Sequence, residues 1–334
     1  MTQIPDTGKF VISLDFELMW GVRDHATPRT YGANIRGVHE ALPKLLHAFT
    51  KYNIHGTFST VGLLFFENKK DLLENIPRVK PLYYNTKLSP YESNYFEKNL
   101  KSAYPEDPYH YGLHLIRLIQ NTPNQEIGTH TFSHFYCLEE GQNSLAFKED
   151  IAAAIKIASV HGIEIKSIIF PRNQINKAYL KICSEAGISS YRGNPTSWIY
   201  KARSTENENL FRRACRLADA YINLSGHNCF SNDHITKEFP VNISGSSFLR
   251  PHSDKLKFLD GLRLIRIKTS MTHAAKNNLL YHLWWHPHNF GILQKENFAF
   301  LEKILNHYVM LHKKYSFTSY TMTELANALT RTNK

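Results

Sequence analysis

At 334 residues the chain can bury a sizeable core, and 42% apolar with 21% charged residues excludes a disordered or fibrous protein. A formal charge of +11, from 40 Lys+Arg against 29 Asp+Glu, is compatible with an anionic substrate, but the basic residues are scattered and no motif points to nucleic acid. No run can span a bilayer, the first nine residues lack the apolar stretch of a secretory signal, and Cys137, Cys183, Cys215 and Cys229 form no C-x-x-C pair, so a cytoplasmic protein with free thiols is expected.

The first predicted element is the strand Phe10-Val-Ile-Ser-Leu-Asp-Phe-Glu17, a β-rich run ending in carboxylates. A helix is predicted over about 35–52, where Val38, Leu42, Leu45, Leu46 and Phe49 recur at helical spacing, followed by a short strand at 55–60. The Tyr-, Asn- and Pro-rich stretch of about 68–124 reads as an insertion. Alternation resumes with a strand ending in Glu126-Ile-Gly-Thr-His130, a helix over 144–160, a buried strand at 167–170, a helix over 175–186 and a short strand at 189–191. The polar stretch of about 194–250 reads as a second insertion. Leu279 to Trp285 is strand-like, 296–311 helical, 316–318 a strand and 322–329 a closing helix. One domain over 1–334 is expected, without repeats. Strand–helix alternation predicts an α/β fold with a parallel sheet, open or closed into a barrel, whose working residues sit at strand C-termini.

Polar residues gather at those ends. Asp15 and Glu17, two apart on a strand, face the same side, and a cation between them relieves the repulsion of paired carboxylates. His130 and His134 are four apart, and a helical turn there would place both rings on one face, able to ligate one ion. Two imidazoles and a carboxylate with open positions suit catalytic zinc and other divalent ions. Arg172, just after Ile168-Ile-Phe-Pro171, is the candidate for keeping a carboxylate ionised, and its neighbour Asn173 for contacting substrate. In Leu283-Trp-Trp-His-Pro-His288, His286 suits a general acid with His288 its rival, and of the two tryptophans Trp285 is the candidate for stacking on a sugar ring. Tyr191 and Arg192, at the end of the 189–191 strand, complete the candidate substrate contacts.

Taken in order, these segments resemble the polysaccharide deacetylase superfamily (NodB homology, carbohydrate esterase family 4). Ser-Leu-Asp-Phe-Glu17 resembles its first motif, His130-Thr-Phe-Ser-His134 matches H-[ST]-x-x-H, Gly56-Thr-Phe58 resembles the strand between them, and Leu283-Trp-Trp-His286 matches L-x-x-H. Two departures stand out: D-x-E replaces the commoner adjacent aspartates, and Phe-Pro-Arg-Asn-Gln174 keeps the third motif's ingredients in another order. The resemblance implies a distorted (β/α) barrel of about seven parallel strands. It implies a divalent ion, zinc first, on Glu17, His130 and His134. It also implies Asp15 as base with Arg172 beside it, His286 as acid, and a backbone amide near 172–174 stabilising the oxyanion. The expected activity is removal of an acetyl or formyl group from an amino-sugar nitrogen. With no secretory signal expected, the substrate would be a nucleotide- or lipid-linked precursor in surface-glycan (lipopolysaccharide or O-antigen) synthesis. The alternatives are a cyclic amide or ureide hydrolase of the allantoinase-like branch and a barrel that binds glycan without turnover.

Overall fold

Eight buried residues in succession make Lys9–Phe16 the central strand, β1. Side chains alternate along it: Phe10, Ile12, Leu14 and Phe16 join the main apolar cluster with the surrounding helices, while Val11, Ser13 and Asp15 face the other way. This is a computed structural model, and it describes residues 7–331. Residues 1–6, part of the segment read as lacking a secretory signal, lie outside the described residues.

The remaining strands are β2 (Gly56–Thr60), β3 (Gln125–Thr129), β4 (Ser167–Ile168), β5 (Ser190–Tyr191), β6 (Val241–Asn242), β7 (Ser247–Phe248), β8 (Leu280–Trp285) and β9 (Thr318–Tyr320). All pairings among them are parallel, in the order β6-β5-β4-β3-β2-β1-β8-β7. β9 pairs with Lys9 to Val11 and β2 with Ile12 to Phe16, so two strands divide one edge of β1 between its lower and upper halves.

One segment closes the ring. The amides of Val241, Ile243 and Gly245 donate to Ser189, Tyr191 and Gly193 on the β5 side. Those of Ser246 and Leu249 donate to His282 and Trp284 on β8. β6 and β7 are thus two halves of a single stave, and with β1–β5 and β8 they make a distorted barrel of seven staves. The stave lies inside 194–250, a stretch whose polar sequence reads as an insertion. Its strands are two residues each, too short to give a period-2 signal.

Val11, Ile169, Ile243 and Leu280 form a second apolar cluster with Met322, Leu325 and Leu329 of the last helix, filling the barrel on the N-terminal side of Ser13 and Asp15. The chemistry is therefore confined to the strand C-termini. The long helix Pro28–Tyr52 starts seven residues before its apolar periodicity, because Thr27 caps it and Pro28 is pre-set for its first turn. Among the described residues no helix is long and apolar enough to cross a membrane.

The stretch 68–124 carries three short helices, Lys69–Glu74, Tyr95–Asn99 and Leu113–Gln120, and docks against the turn that follows β1. The Met19 amide donates to the Tyr109 carbonyl (3.1 Å) and Trp20 Nε1 to the His110 carbonyl (2.9 Å). Buried Asp107 organises this contact, accepting from the amides of Lys101, Tyr109 and His110 and pairing with the His110 ring at 2.9 Å. Burial raises the Asp107 pKa, but the His110 pair and the amides outweigh it and leave it below the usual value of 3.8. A depressed carboxylate stabilises the fold above its unfolded pKa, and that contribution is lost as pH falls through the folded one. Asp107→Asn is therefore expected to cost about 1–3 kcal/mol in urea unfolding at pH 7 and markedly less near pH 3.

Candidate metal centre and active site

Glu17, His130 and His134 converge at the mouth of the barrel with ligand atoms all within 4.8 Å of one another, each residue buried. Glu17 Oε2 lies 3.3 Å from His130 Nε2 and 3.0 Å from His134 Nε2. The histidine pair does not sit on a helix. The loop after β3 instead turns through left-handed backbone at Thr131 (φ 64°) and His134 (φ 60°), costly conformations for residues with a Cβ. Asp150, on the helix Ser144–Val160, holds the loop there by accepting from the amides of Phe132 (2.6 Å) and Ser133 (3.2 Å) and from the Ser133 hydroxyl. Thr131 Oγ1 accepts from the Phe135 amide at 2.6 Å.

The electrostatics match a cation site. Burial raises the Glu17 pKa, but His286, His130 and His134 together take it well below the usual carboxylate range. Burial, against the pull of Glu17, lowers His134 to about 4, leaving a neutral imidazole with a free electron pair at neutral pH. An ionised carboxylate and imidazole nitrogens converging in a buried pocket fit a divalent ion of the zinc type. Gly21, in the 3₁₀ turn Leu18–Gly21, makes room for this geometry: a Cβ there would fall 1.9 Å from Glu17 Cδ. A carboxylate on a flexible stem can move aside. Gly21→Ala is thus expected to weaken zinc binding about 10- to 100-fold, as disturbing a ligand's support does, with little change in the urea midpoint. Competition with a chromophoric chelator measures the first.

Asp15 lies beside this cage, and its partner is not the one expected. Arg192 Nη1 and Nη2 grip its two oxygens at 2.7 and 2.8 Å. The same guanidinium donates to Ser13 Oγ (3.0 Å) and Asn173 Oδ1 (2.9 Å) and lies 4.1 Å from the centre of the Trp284 ring. Burial raises the Asp15 pKa, but Arg192 chiefly, with His130 and His286, brings it below the usual value. Arg172, the residue expected here, instead pairs with Asp24, donates to Thr205 and lies 4.5 Å from the Tyr136 ring centre. The left-handed turn at Arg172 (φ 54°) and Asn173 (φ 53°) delivers Asn173 rather than Arg172 to Asp15's partner. The amides of Asn173 and Gln174 donate within that turn, to Phe170 and Pro171, so neither is free to serve as an oxyanion donor.

His286 Nε2 sits 3.6 Å from both Asp15 Oδ2 and Glu17 Oε1, and its ring is the more exposed of the two candidate acids. His288 stacks on it with centroids 4.9 Å apart, is buried, and is held near 3 mainly by that burial. Trp285 departs from expectation. It is fully buried against Phe49 and Phe290, and its neighbour Trp284 presents a ring to the mouth, 6.0 Å from His286. Strand parity explains the exchange: His282, Trp284 and His286 share the inner face, and Trp285 takes the outer one. Tyr191 likewise faces away from the site, its hydroxyl donating to Glu238.

Other residues at the site carried no signal in the sequence. His282 links Ser13 Oγ (2.8 Å) to the Ile243 carbonyl (3.0 Å) and so ties β1 to the closing stave. Tyr31 packs edge-on to His288, and Tyr136 edge-on to His134. Tyr31 lies on a helix remote in sequence from the motifs, whereas His282 stands next to Leu283 of one motif and Tyr136 two residues after His134 of another.

No family model matches the sequence, and no curated protein does. Solved structures match over nearly the whole chain. A protein from Mycobacterium smegmatis solved as a "putative polysaccharide deacetylase" is 12% identical, with TM-score 0.61 over 99% of this chain and 94% of that one. A "probable polysaccharide deacetylase" from Pseudomonas aeruginosa PAO1 is 10% identical, with TM-score 0.53 over 98% and 92%. Puue allantoinase is 9% identical, with TM-score 0.54 over 98% and 92%. The chain has the fold that these proteins share.

Proposed function

We propose that this chain, which has the polysaccharide deacetylase fold, is a metal-dependent hydrolase that removes an acetyl or formyl group from an amino-sugar nitrogen. The observation that carries the reading is one mouth holding both a convergent Glu17–His130–His134 cage and an Asp15 clamped by Arg192 within reach of His286. Glu17, His130 and His134 would hold a divalent ion, zinc by donor type, which would supply Lewis acidity to the acyl group and the attacking water. Asp15, kept ionised by Arg192, accepts the proton of the attacking water as the water's oxygen bonds to the acyl carbon. His286 gives a proton to the amide nitrogen as the carbon–nitrogen bond breaks, releasing a free amine and a carboxylic acid. Trp284, on the rim, offers a flat apolar face to the sugar ring.

The positive charge of the chain supports a nucleotide- or lipid-linked amino sugar over a neutral polymer. A second reading, hydrolysis of a cyclic amide or ureide, draws on the fold shared with an allantoinase. Zinc-loaded protein incubated with N-acetyl and N-formyl amino sugars, free and phosphate-linked, and with allantoin separates the two. Released acetate or formate supports the first reading. Ring opening of allantoin alone replaces it with the second. Stoichiometric metal without turnover of any compound leaves a binding protein.

A further inference from the structure

Beside His286 the mouth opens into a cavity of about 250 Å³ walled largely by the stretch 194–250. Trp284 and Phe248 form its boundary with the active site, their rings 6.0 and 5.8 Å from that of His286. Five cationic side chains line it: Arg172, Lys201, Arg203, Arg216 and Arg250. The two acids on the wall do not balance them. Glu208 is engaged with Arg216 at 3.2 Å and with Arg212 at 3.7 Å. Asp219 accepts from Tyr200, Ser225 and the Leu224 amide and faces Arg266 at 3.7 Å. Arg172 is neutralised by Asp24. Among the described residues, Arg250, Arg203 and Lys201 have no carboxylate within ion-pair distance.

Arg250 is the most telling of the three. It is half-buried, its guanidinium has only a long contact of 3.5 Å with the Arg216 carbonyl, and it lies 5.9 Å from the Phe248 ring centre. Burial and the neighbouring Arg216 lower its pKa from the ordinary arginine value. A cation held in a half-buried wall among other cations is stabilised by an anion bound opposite it. Several cations around one small cavity suit a multiply charged oxyanion better than a single carboxylate.

We propose that this cavity binds the phosphoryl group of a phosphate-linked sugar, holding the sugar ring on Trp284 and its acylamino group toward the metal cage. The proposal rests on the hydrolase reading only for where the acyl group is placed. Calorimetric titration of the zinc-loaded protein with inorganic pyrophosphate, at physiological ionic strength, tests it without any turnover. Affinity is expected to fall about 10- to 100-fold in Arg250→Gln, the loss of a charge-assisted hydrogen bond, and to fall also in Arg203→Gln. Arg203 is exposed, so its replacement leaves the core intact should Arg250→Gln fold poorly. Lys303→Gln, which removes the same charge from the exposed face of another helix, should bind as the parent does. His134→Ala should also keep pyrophosphate binding, which separates the cavity from the metal cage. No binding by the parent overturns the proposal, as does equal binding by the Arg250 and Arg203 variants or loss of binding in His134→Ala. Acid release from neutral amino sugars by a protein indifferent to pyrophosphate would sink this proposal and leave the hydrolase intact. Arg250-dependent binding without any turnover would do the reverse. Competition by a nucleoside diphosphate against an alkyl phosphate then tells a nucleotide-linked from a lipid-linked source.

Discussion

Asp15→Asn is expected to reduce acid release by about 10²- to 10⁴-fold, the contribution of a positioned general base, while zinc stays bound. The amide has the carboxylate's shape and keeps an acceptor for Arg192, but it cannot take a proton from water. The metal cage does not include Asp15, so metal content after dialysis should equal that of the parent. His134→Ala gives the opposite signature, because it removes one of three ligands and turnover falls together with zinc content. Elemental analysis and an acetate or formate assay on the same preparations distinguish the two. Near-native turnover in Asp15→Asn would remove Asp15 from the role of base.

Replacing Arg192 by methionine is expected to remove both activity and stability. The arginine is 1% exposed, and its guanidinium neutralises an Asp15 that is 3% exposed. Breaking a buried pair from one side costs about 3–5 kcal/mol, because the surviving charge stays desolvated without a partner. The double variant Arg192→Met with Asp15→Asn tests this explanation. A neutral amide needs no counter-ion, so the urea midpoint should recover much of its loss while acid release does not return. Equal destabilisation in the single and double variants would mean that Arg192 acts through packing against Trp284 alone.

Sequence periodicity was a good guide to the long elements beside the motifs, but it missed the helices Leu210–Asp219 and Asp260–Lys276. The eight residues of β1 and the helices over 28–52 and 294–315 carry clear patterns, and the barrel follows from their alternation. The convergence of Glu17, His130 and His134 was legible for the same reason, since each ends or follows a strand whose direction the apolar residues set. The arginine was not. Arg172 and Arg192 both follow short strands, β4 and β5, and a left-handed turn at 172–173 decides between them. Asn173 is of a type that tolerates such a conformation, but Arg172 carries no sequence signature of it. Parity could have separated Trp284 from Trp285, because counting in twos from His286 places Trp284 on the inner face. The closing stave escaped because its strands are two residues long and tertiary hydrogen bonding, not local propensity, makes them strands.

Four of the residues that build the mouth, Thr131, His134, Arg172 and Asn173, stand in backbone conformations where glycine would be at ease. Each costs the folded state of order 1 kcal/mol or more. A redesign guided by stability alone would turn to these positions first, and glycine at any of them would relax the backbone. It would also take away a metal ligand, the hydroxyl that accepts from the Phe135 amide, a wall of the cationic cavity or the amide that steadies Arg192. Thermal robustness and chemistry therefore draw on the same few dihedral angles, and a hardier version of this protein should be sought in its outer helices and not at its mouth.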